Sequence, residues 1–105
     1  MNEKTVTELK EMLDSKIDFQ LIDVREPHEF EICNINGELI PMGDVPDNVA
    51  KIARDKPVVI HCRSGARSGN IITFLESNFG YTNLYNLKGG ILAYADQIDT
   101  SMQKY

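Results

Sequence analysis

A short segment in the middle of the chain combines a cysteine with basic, small and hydroxyl side chains. Cys62 follows an apolar run at residues 58–60 and is succeeded by Arg63, Ser64, Gly65, Ala66, Arg67 and Ser68. When a buried strand ends in a tight turn before a helix, successive backbone N–H groups and the positive end of the helix dipole form an anion site. A thiol placed there ionises more easily, and the thiolate is its nucleophilic form. The segment therefore predicts that Cys62 is a catalytic nucleophile in an anion-binding loop.

The residues that follow the cysteine have separate expected roles in this loop. Arg63 and Arg67 supply permanent positive charge on either side of the turn, and Gly65 permits a positive φ or a close backbone approach. Ser64 and Ser68 either line the loop or cap the next helix, and a cap requires no substrate. The same donors would hold an anionic substrate or the end of a persulfide. All six residues after the cysteine are therefore candidate substrate-binding residues.

Each of the two cysteines has a plain structural interpretation beside a chemical one. Free cysteine is among the most buried residue types, but the Arg, Ser and Gly neighbours of Cys62 do not suit a core. Cys33 lies in an amphipathic stretch without basic neighbours, which favours a structural thiol. Its alternative role is that of a resolving cysteine, which would form a disulfide with Cys62 or with a persulfide there.

Several other polar residues and glycines are assigned structural roles. His61 adjoins the nucleophile, but adjacent residues on a strand point to opposite faces, so we expect a hydrogen-bonded histidine near the strand end. Asp23 and Arg25 alternate along a strand edge and predict a structural ion pair. Gly89 and Gly90 indicate a turn before the last helix. The histidines and cysteines lack zinc-site spacing, so no metal site is expected.

Short apolar runs alternate with amphipathic segments along the chain. The predicted strands are residues 19–24, 39–40, 57–61 and 83–85. The predicted helices lie within residues 5–15 (Thr7 as N-cap), 27–33, 47–54, 67–78 (ending at Gly80) and 90–98. This alternation indicates a parallel sheet covered on both faces, in which ligands bind beyond the carboxyl ends of the strands. Cys62 falls just beyond such an end.

Size and charge limit the classes of function. The 105 residues suit one domain, 1–105, and the apolar and charged fractions of 42% and 26% are ordinary for a globular protein. A net charge of −5 argues against a general nucleic-acid binder and against an anionic membrane surface as partner. No apolar run approaches the roughly 18 residues of a membrane span, and no signal peptide is visible. A cytoplasmic location with free thiols is therefore expected.

The loop and three further segments, in order along the chain, resemble the motifs of rhodanese-like domains. In that family a cysteine opens a six-residue turn that ends in a basic residue, as residues 62–67 do. The other segments are residues 21–26 (Leu-Ile-Asp-Val-Arg-Glu), residues 29–41, which include Ile-Asn-Gly at 35–37, and residues 87–94 (Leu-Lys-Gly-Gly-Ile-Leu-Ala-Tyr). Tyr94 stands where the family usually has tryptophan, and Asn34 and Asn36 replace the commoner His and Pro. These departures lie outside the loop, so they leave the assignment of the cysteine intact.

The resemblance implies an α/β fold of the rhodanese-like type, with a five-stranded, mainly parallel sheet and helices on both faces. It also implies a sulfurtransferase, in which Cys62 attacks a small anionic sulfur donor such as thiosulfate and becomes a persulfide. Cyanide, a small thiol or an acceptor protein would then remove the sulfur. Arg67 and Arg63 would orient the donor, loop N–H groups would stabilise the persulfide, and no metal or organic cofactor would be needed.

Three other functions stay open at this point. The cysteine phosphatases and arsenate reductases have a longer loop, because five residues separate their cysteine from its arginine. Four residues separate Cys62 from Arg67, and this tighter turn favours a sulfur atom over a phosphate. A non-catalytic binding module is disfavoured by the intact cysteine and both loop arginines. A protein-to-protein sulfur relay, serving cofactor synthesis or tRNA thiolation, fits the sequence as well as a free enzyme does.

Overall fold

The computed structural model describes residues 1–105 and contains five strands and four α-helices. The strands are β1 Glu3–Lys4, β2 Gln20–Asp23, β3 Glu38–Leu39, β4 Val58–His61 and β5 Leu84–Leu87. The helices are α1 Val6–Asp14, α2 Pro27–Ile32, α3 Ala66–Phe79 and α4 Gly90–Gln97. Two 3-10 segments, Met42–Asp47 and Val49–Lys51, lie between β3 and β4. None of the helices has the length and apolarity needed to traverse a bilayer.

The strands form one sheet in the order β1-β5-β4-β2-β3, and every neighbouring pair is parallel. The central strand β4 is buried along its whole length, since it pairs with β2 on one side and β5 on the other. The predicted α/β class with a five-stranded parallel sheet is confirmed, and no antiparallel strand is present. Parallel strands end at the same edge, so the loop after β4 lies beside those after β2 and β5.

Both faces of the sheet are covered, as the alternation of side chains along β4 requires. Val58 and Ile60 belong to an apolar cluster that α3 and the 3-10 segments complete. Val59, which points the opposite way, belongs to a second cluster under α1 and α4. The two clusters fix the register of β4 because a slip by one residue would exchange its faces. The position of Cys62 at the end of this strand is fixed with it.

The first helix begins two residues earlier than predicted. Its N-cap is Thr5, not Thr7. The Thr5 hydroxyl accepts a hydrogen bond from the Glu8 backbone N–H at 3.1 Å, and the Glu8 carboxylate accepts one from the Thr5 backbone N–H at 2.9 Å. This reciprocal capping box satisfies two backbone donors, whereas a cap at Thr7 would leave Glu8 unused.

Two other predictions of secondary structure are corrected. The α-helix expected at residues 47–54 is wrong, because Pro46 lacks a backbone donor and Asn48 has a non-helical φ of −127°, which leaves two short 3-10 segments. Strand β1 was not predicted: Glu3 and Lys4 show no apolar pattern and are ordered by backbone pairing with β5. Other boundaries shift by one or two residues. The extension of β5 to Leu87 brings Asn86 into the sheet.

Candidate active site

The loop between β4 and α3 encloses the sulfur atom of Cys62. Only 1% of Cys62 is exposed, and its Sγ accepts hydrogen bonds from the backbone N–H groups of Gly65 at 3.1 Å and Ser68 at 3.5 Å. Gly65 is the N-cap of α3 and has a φ of 109°, a conformation that glycine adopts without strain. This turn directs the start of α3 towards the sulfur, so the helix dipole favours negative charge there.

Helix α4 supports the loop from outside. The N–H of Ile91 donates to the carbonyl of Cys62 at 3.0 Å, and the N–H of Leu92 donates to the carbonyl of Arg63 at 3.2 Å. This approach requires glycine at position 90, where a Cβ would lie 2.6 Å from the carbonyl carbon of Arg63 and 2.8 Å from the carbonyl oxygen of Cys62. The predicted turn at Gly89 and Gly90 is confirmed, and it places the first turn of α4 against the loop that contains Cys62.

Ser68 and Asn86 form a buried polar pair beside the sulfur. The Ser68 hydroxyl lies 3.4 Å from Sγ of Cys62 and 2.6 Å from Oδ1 of Asn86. Asn86 in turn donates from Nδ2 to the carbonyl of Gly65 at 3.1 Å, which fixes the orientation of its amide. Ser68 therefore lines the loop and makes no N-cap. Asn86 was not predicted as a site residue from the sequence. A polar amide between the leucines of an apolar strand is nevertheless a signal for such a role.

The thiol of Cys62 experiences opposing effects on its pKa. Burial raises the pKa of the thiol because it disfavours the charged form. Hydrogen bonds from the Ser68 hydroxyl and from the backbone N–H groups of Ser68, Gly65 and Ser64 lower the pKa and outweigh burial. The net pKa of Cys62 lies below its ordinary value, so the loop stabilises a thiolate that is shielded from solvent.

Arg67 is paired inside the protein. Its guanidinium binds the carboxylate of Glu29 through two hydrogen bonds, at 2.6 and 2.8 Å, and the Glu29 side chain is only 9% exposed. This bidentate bond holds the pKa of Glu29 well below its ordinary range. Glu29 was named from the sequence only as part of a motif, and its ion pair with Arg67 was not predicted.

The remaining loop residues form the outer rim. The side chains of Ser64 and Ala66 are exposed, and so is that of Arg63. Arg63 donates through Nη2 to the main-chain oxygen of Tyr105, the last residue of the chain, and its guanidinium lies 5.0 Å from the centroid of the Tyr105 ring. The sequence contained no signal for this contact.

A buried ion pair lies behind the loop. Asp23 and Arg25 are fully buried and joined at 2.7 Å, which confirms the predicted structural pair. His61 is also buried, with Nδ1 3.3 Å from the carbonyl of Cys62 and Nε2 without a hydrogen-bond partner. Burial lowers the pKa of His61, because it disfavours the charged form of the ring.

Cys33 has a basic neighbour in space, although no basic residue adjoins it in the sequence. Its Sγ lies 4.0 Å from Nη1 of Arg25, which reaches it from the end of β2. The thiol is free and half-buried at the C-terminal end of α2. No group of three or more His, Cys, Asp or Glu side chains is placed to hold a metal ion.

Comparisons with known proteins agree with this geometry. The family model for the rhodanese-like domain matches residues 5–97. A solved rhodanese-like domain protein from Staphylococcus aureus superimposes with a TM-score of 0.83 at 33% identity, over 93% of this chain and 95% of that one.

Curated relatives are similar over most of this chain. A sulfurtransferase of Allochromatium vinosum is 38% identical over 90% of this chain and 89% of its own length. A probable adenylyltransferase/sulfurtransferase, MoeZ of Mycobacterium tuberculosis, is 36% identical over 96% of this chain, which spans only 26% of MoeZ. Relatives of this group support sulfur transfer in general terms. The chain belongs to the rhodanese-like family.

Proposed function

We propose that this chain is a sulfurtransferase in which Cys62 carries a sulfane sulfur as a persulfide. The observation that carries the proposal is the buried Sγ, which accepts hydrogen bonds from the backbone N–H groups of Gly65 and Ser68 and lies 3.4 Å from the hydroxyl of Ser68. These donors are placed to stabilise negative charge on sulfur without any metal. Relatives that match along about nine-tenths of their own length and are named sulfurtransferases support the same conclusion.

In the first half of the reaction the thiolate of Cys62 attacks the sulfane sulfur of a donor such as thiosulfate. A bond forms between Sγ and that sulfur while the sulfur–sulfur bond of the donor breaks. Sulfite leaves with the electron pair, and the persulfide keeps one negative charge on its terminal sulfur. The N–H groups around the loop stabilise this terminal charge as they stabilise the thiolate.

In the second half a nucleophilic acceptor attacks the terminal sulfur of the persulfide. With cyanide, a carbon–sulfur bond forms, thiocyanate leaves, and Cys62 recovers its electron pair as thiolate. A small thiol or an acceptor protein would enter in the same way. A protein-to-protein relay is the same chemistry with a different donor and acceptor. No organic cofactor or metal ion takes part in either half.

The loop residues divide into two groups under this proposal. Gly65 and Ser68 hold the reacting sulfur, because their donors contact Sγ. Arg63, with Ser64 and Ala66 on the rim, meets the incoming donor. Arg67 acts mainly through its bond to Glu29, which fixes the far side of the loop, and it contributes positive charge at longer range.

The buried position of Sγ favours sulfur over phosphate as the transferred group. A turn that holds one sulfur atom between backbone N–H groups leaves little room for a tetrahedral phosphate. Phosphatase chemistry is therefore not the function that this site supports best.

The proposal is tested by incubating the reduced protein with thiosulfate and recording its intact mass. Wild type and Cys33→Ser should gain one sulfur atom, and cyanide should remove it as thiocyanate. Cys62→Ser should gain none, because the nucleophile is absent. If neither thiosulfate nor a persulfide-bearing donor loads sulfur onto Cys62, the sulfurtransferase assignment is wrong, and aryl phosphates and arsenate are the next substrates to test.

A further inference from the structure

His61 is a buried histidine whose ring lies next to the catalytic loop. It is the last residue of β4, its side chain is fully buried, and its backbone carbonyl accepts a hydrogen bond from the N–H of Val24 at 3.0 Å. Side chains alternate along a strand, so His61 points to the same face of the sheet as Val59, the face that Ile91 of α4 covers. The ring is therefore enclosed where α4 packs against the end of β4.

Each ring nitrogen of His61 faces an oxygen atom. Nδ1 lies 3.3 Å from the carbonyl oxygen of Cys62, which is within hydrogen-bond distance. Nε2 lies 3.6 Å from Oδ2 of Asp23, which is beyond that distance, and it has no hydrogen-bond partner. A neutral imidazole carries one N–H, so it can donate to only one of these two oxygens.

The surroundings of the ring favour a proton on Nδ1. Oδ2 of Asp23 already accepts hydrogen bonds from Arg25, from Nη2 at 2.7 Å and from Nε at 3.1 Å. Asp23 and Arg25 are also the charged groups that act on the ring. Burial lowers the pKa of His61 below its ordinary value of 6.5, so at pH 8 the ring holds a single proton. That proton forms a hydrogen bond only on the side of Cys62.

The carbonyl of Cys62 is then held by two donors. It accepts the N–H of Ile91 at 3.0 Å, and its second lone pair is available to Nδ1–H of His61. This carbonyl belongs to the planar peptide that follows the nucleophile, so restraining its oxygen restrains the ψ angle of Cys62. The angle determines where the next N–H groups of the loop, including that of Gly65, lie relative to Sγ.

We propose that His61 is a positioning residue that acts on Cys62 through its backbone carbonyl. Together with the N–H of Ile91 it keeps the backbone donors of the loop aimed at Sγ, and these donors stabilise the thiolate. The ring itself makes no hydrogen bond to Sγ, whose contacts are with Gly65 and Ser68. This inference deepens the proposed function and rests on it for the reaction, whereas its effect on thiol ionisation does not depend on sulfur transfer.

Three substitutions separate the Nδ1–H donor from the packing of the ring. His61→Asn keeps an N–H donor close to the position of Nδ1, although it has the smallest side chain of the three variants. His61→Gln is larger but places its amide further out, near the position of Nε2. His61→Leu fills a similar space without any donor. Packing alone predicts that His61→Asn is the most damaging of the three, whereas the proposal predicts that it is the least damaging.

The first measurement is the pH dependence of Cys62 alkylation by iodoacetamide in a Cys33→Ser background. His61→Gln and His61→Leu should lower the acid dissociation constant of the thiol by about two- to tenfold, the net effect of one hydrogen bond. His61→Asn should stay close to wild type. His28→Gln changes the other histidine, which is exposed on α2, and should leave the profile unchanged.

Circular dichroism of each variant verifies that the fold is retained. A larger change in His61→Asn than in His61→Leu would assign the effect to packing and overturn the proposal. So would an unchanged profile in folded His61→Gln and His61→Leu. The second measurement is the ¹⁵N spectrum of the wild-type imidazole at pH 8, which should show the proton on Nδ1. A proton on Nε2 alone would leave the Cys62 carbonyl without this donor and would also overturn the proposal.

The last measurement connects the positioning role to sulfur transfer. The same variants are given thiosulfate at a pH below the pKa of Cys62, and persulfide formation should slow in the same order because less thiolate is present. If no variant and no wild-type protein takes up sulfur while the order of thiol ionisation holds, the sulfurtransferase assignment is wrong and the positioning role of His61 stands. If wild type takes up sulfur but the ionisation order fails, only the positioning role is refuted.

Discussion

Cys62 is a buried thiol whose reactivity is set by a few hydrogen bonds. Burial alone would raise the pKa of the thiol, and the donors of the loop reverse this effect. Among the loop groups that contact the sulfur only the hydroxyl of Ser68 belongs to a side chain, so it can be removed without altering the backbone. The same hydroxyl lies 2.6 Å from Asn86, whose amide is tied to Gly65. Ser68 therefore connects Asn86 of β5 to the sulfur atom of Cys62.

Ser68→Ala should raise the pKa of Cys62, because the hydroxyl contact that lowers this pKa is lost while burial continues to oppose ionisation. At neutral pH we expect alkylation of Cys62 to slow by about tenfold, the effect of losing a hydrogen bond to a charged group. The measurement is the pH dependence of the iodoacetamide rate in a Cys33→Ser background. Ser77→Ala, on the exposed surface of α3, should retain the wild-type profile. An unchanged profile in Ser68→Ala would assign the low pKa to the backbone donors alone.

At the scale of elements, α4 and the catalytic loop are packed backbone to backbone. The first turn of α4 donates to the carbonyls of Cys62 and Arg63. This proximity depends on Gly90, which has both a positive φ of 62° and no room for a Cβ. Gly80 offers a natural comparison, because its φ is 67° and no atom lies within 4 Å of the position of its missing Cβ.

Gly90→Ala and Gly80→Ala separate steric contact from backbone strain. Gly80→Ala should lower the free energy of unfolding by about 1–2 kcal/mol, the cost of a left-handed non-glycine residue. Gly90→Ala should lower the free energy of unfolding by more than Gly80→Ala does, because the new methyl group also displaces the loop. It should also slow persulfide formation on Cys62. Urea denaturation and the mass assay measure the two effects. Equal losses of stability, with persulfide formation intact, would show that α4 does not position the loop.

Across the whole molecule, Glu29 joins three distant parts of the chain. Its carboxylate accepts hydrogen bonds from Arg67 of α3 and from the hydroxyl of Tyr105, and it lies itself on α2. The hydrogen bonds from Arg67 lower the pKa of Glu29 in the folded protein far below the ordinary value of 4.5. A lowered pKa in the folded state means that the ionised carboxylate stabilises the fold above the unfolded-state pKa. This contribution disappears as the pH falls towards the folded-state pKa.

Glu29→Gln should therefore lower the free energy of unfolding at pH 7 by about 1–3 kcal/mol, since the hydrogen bonds to a charged group are weakened. The difference in the free energy of unfolding between Glu29→Gln and wild type should become smaller as the pH falls below 4.5. Below this pH the Glu29 carboxylate of the wild-type protein is protonated in the unfolded state before it is protonated in the folded state. Urea midpoints measured between pH 7 and pH 3 give the result. Glu11→Gln, on the exposed side of α1, should follow the wild-type curve. If the loss of stability in Glu29→Gln does not change with pH, the substitution removes packing contacts and not the effect of the ionised carboxylate.

The fold class could be predicted from the alternation of apolar and amphipathic segments, and the residues of the loop predict its chemistry. The run from Val58 to Gly65 defines a buried strand, a sharp turn and a thiol within a few positions, so local rules suffice to predict it. The capping position at Thr5 and the 3-10 segment after Pro41 were missed, because several local patterns compete there and hydrogen-bond geometry decides between them. The short strand β1 was missed because its pairing partner, β5, lies at the other end of the chain.

The side chains that surround Cys62 are brought together by the packing of distant segments and were not predicted from the sequence. Arg67 meets Glu29, 38 positions away, and Arg63 meets Tyr105, 42 positions away. Asn86 reaches the loop because β5 lies next to β4 in the sheet. A charged side chain in a sequence has no preferred partner until packing brings one within a few ångströms and removes the competing water. The sequence therefore predicts a cysteine in an anion-binding turn, and the assembled sheet decides that Arg67 is paired with Glu29.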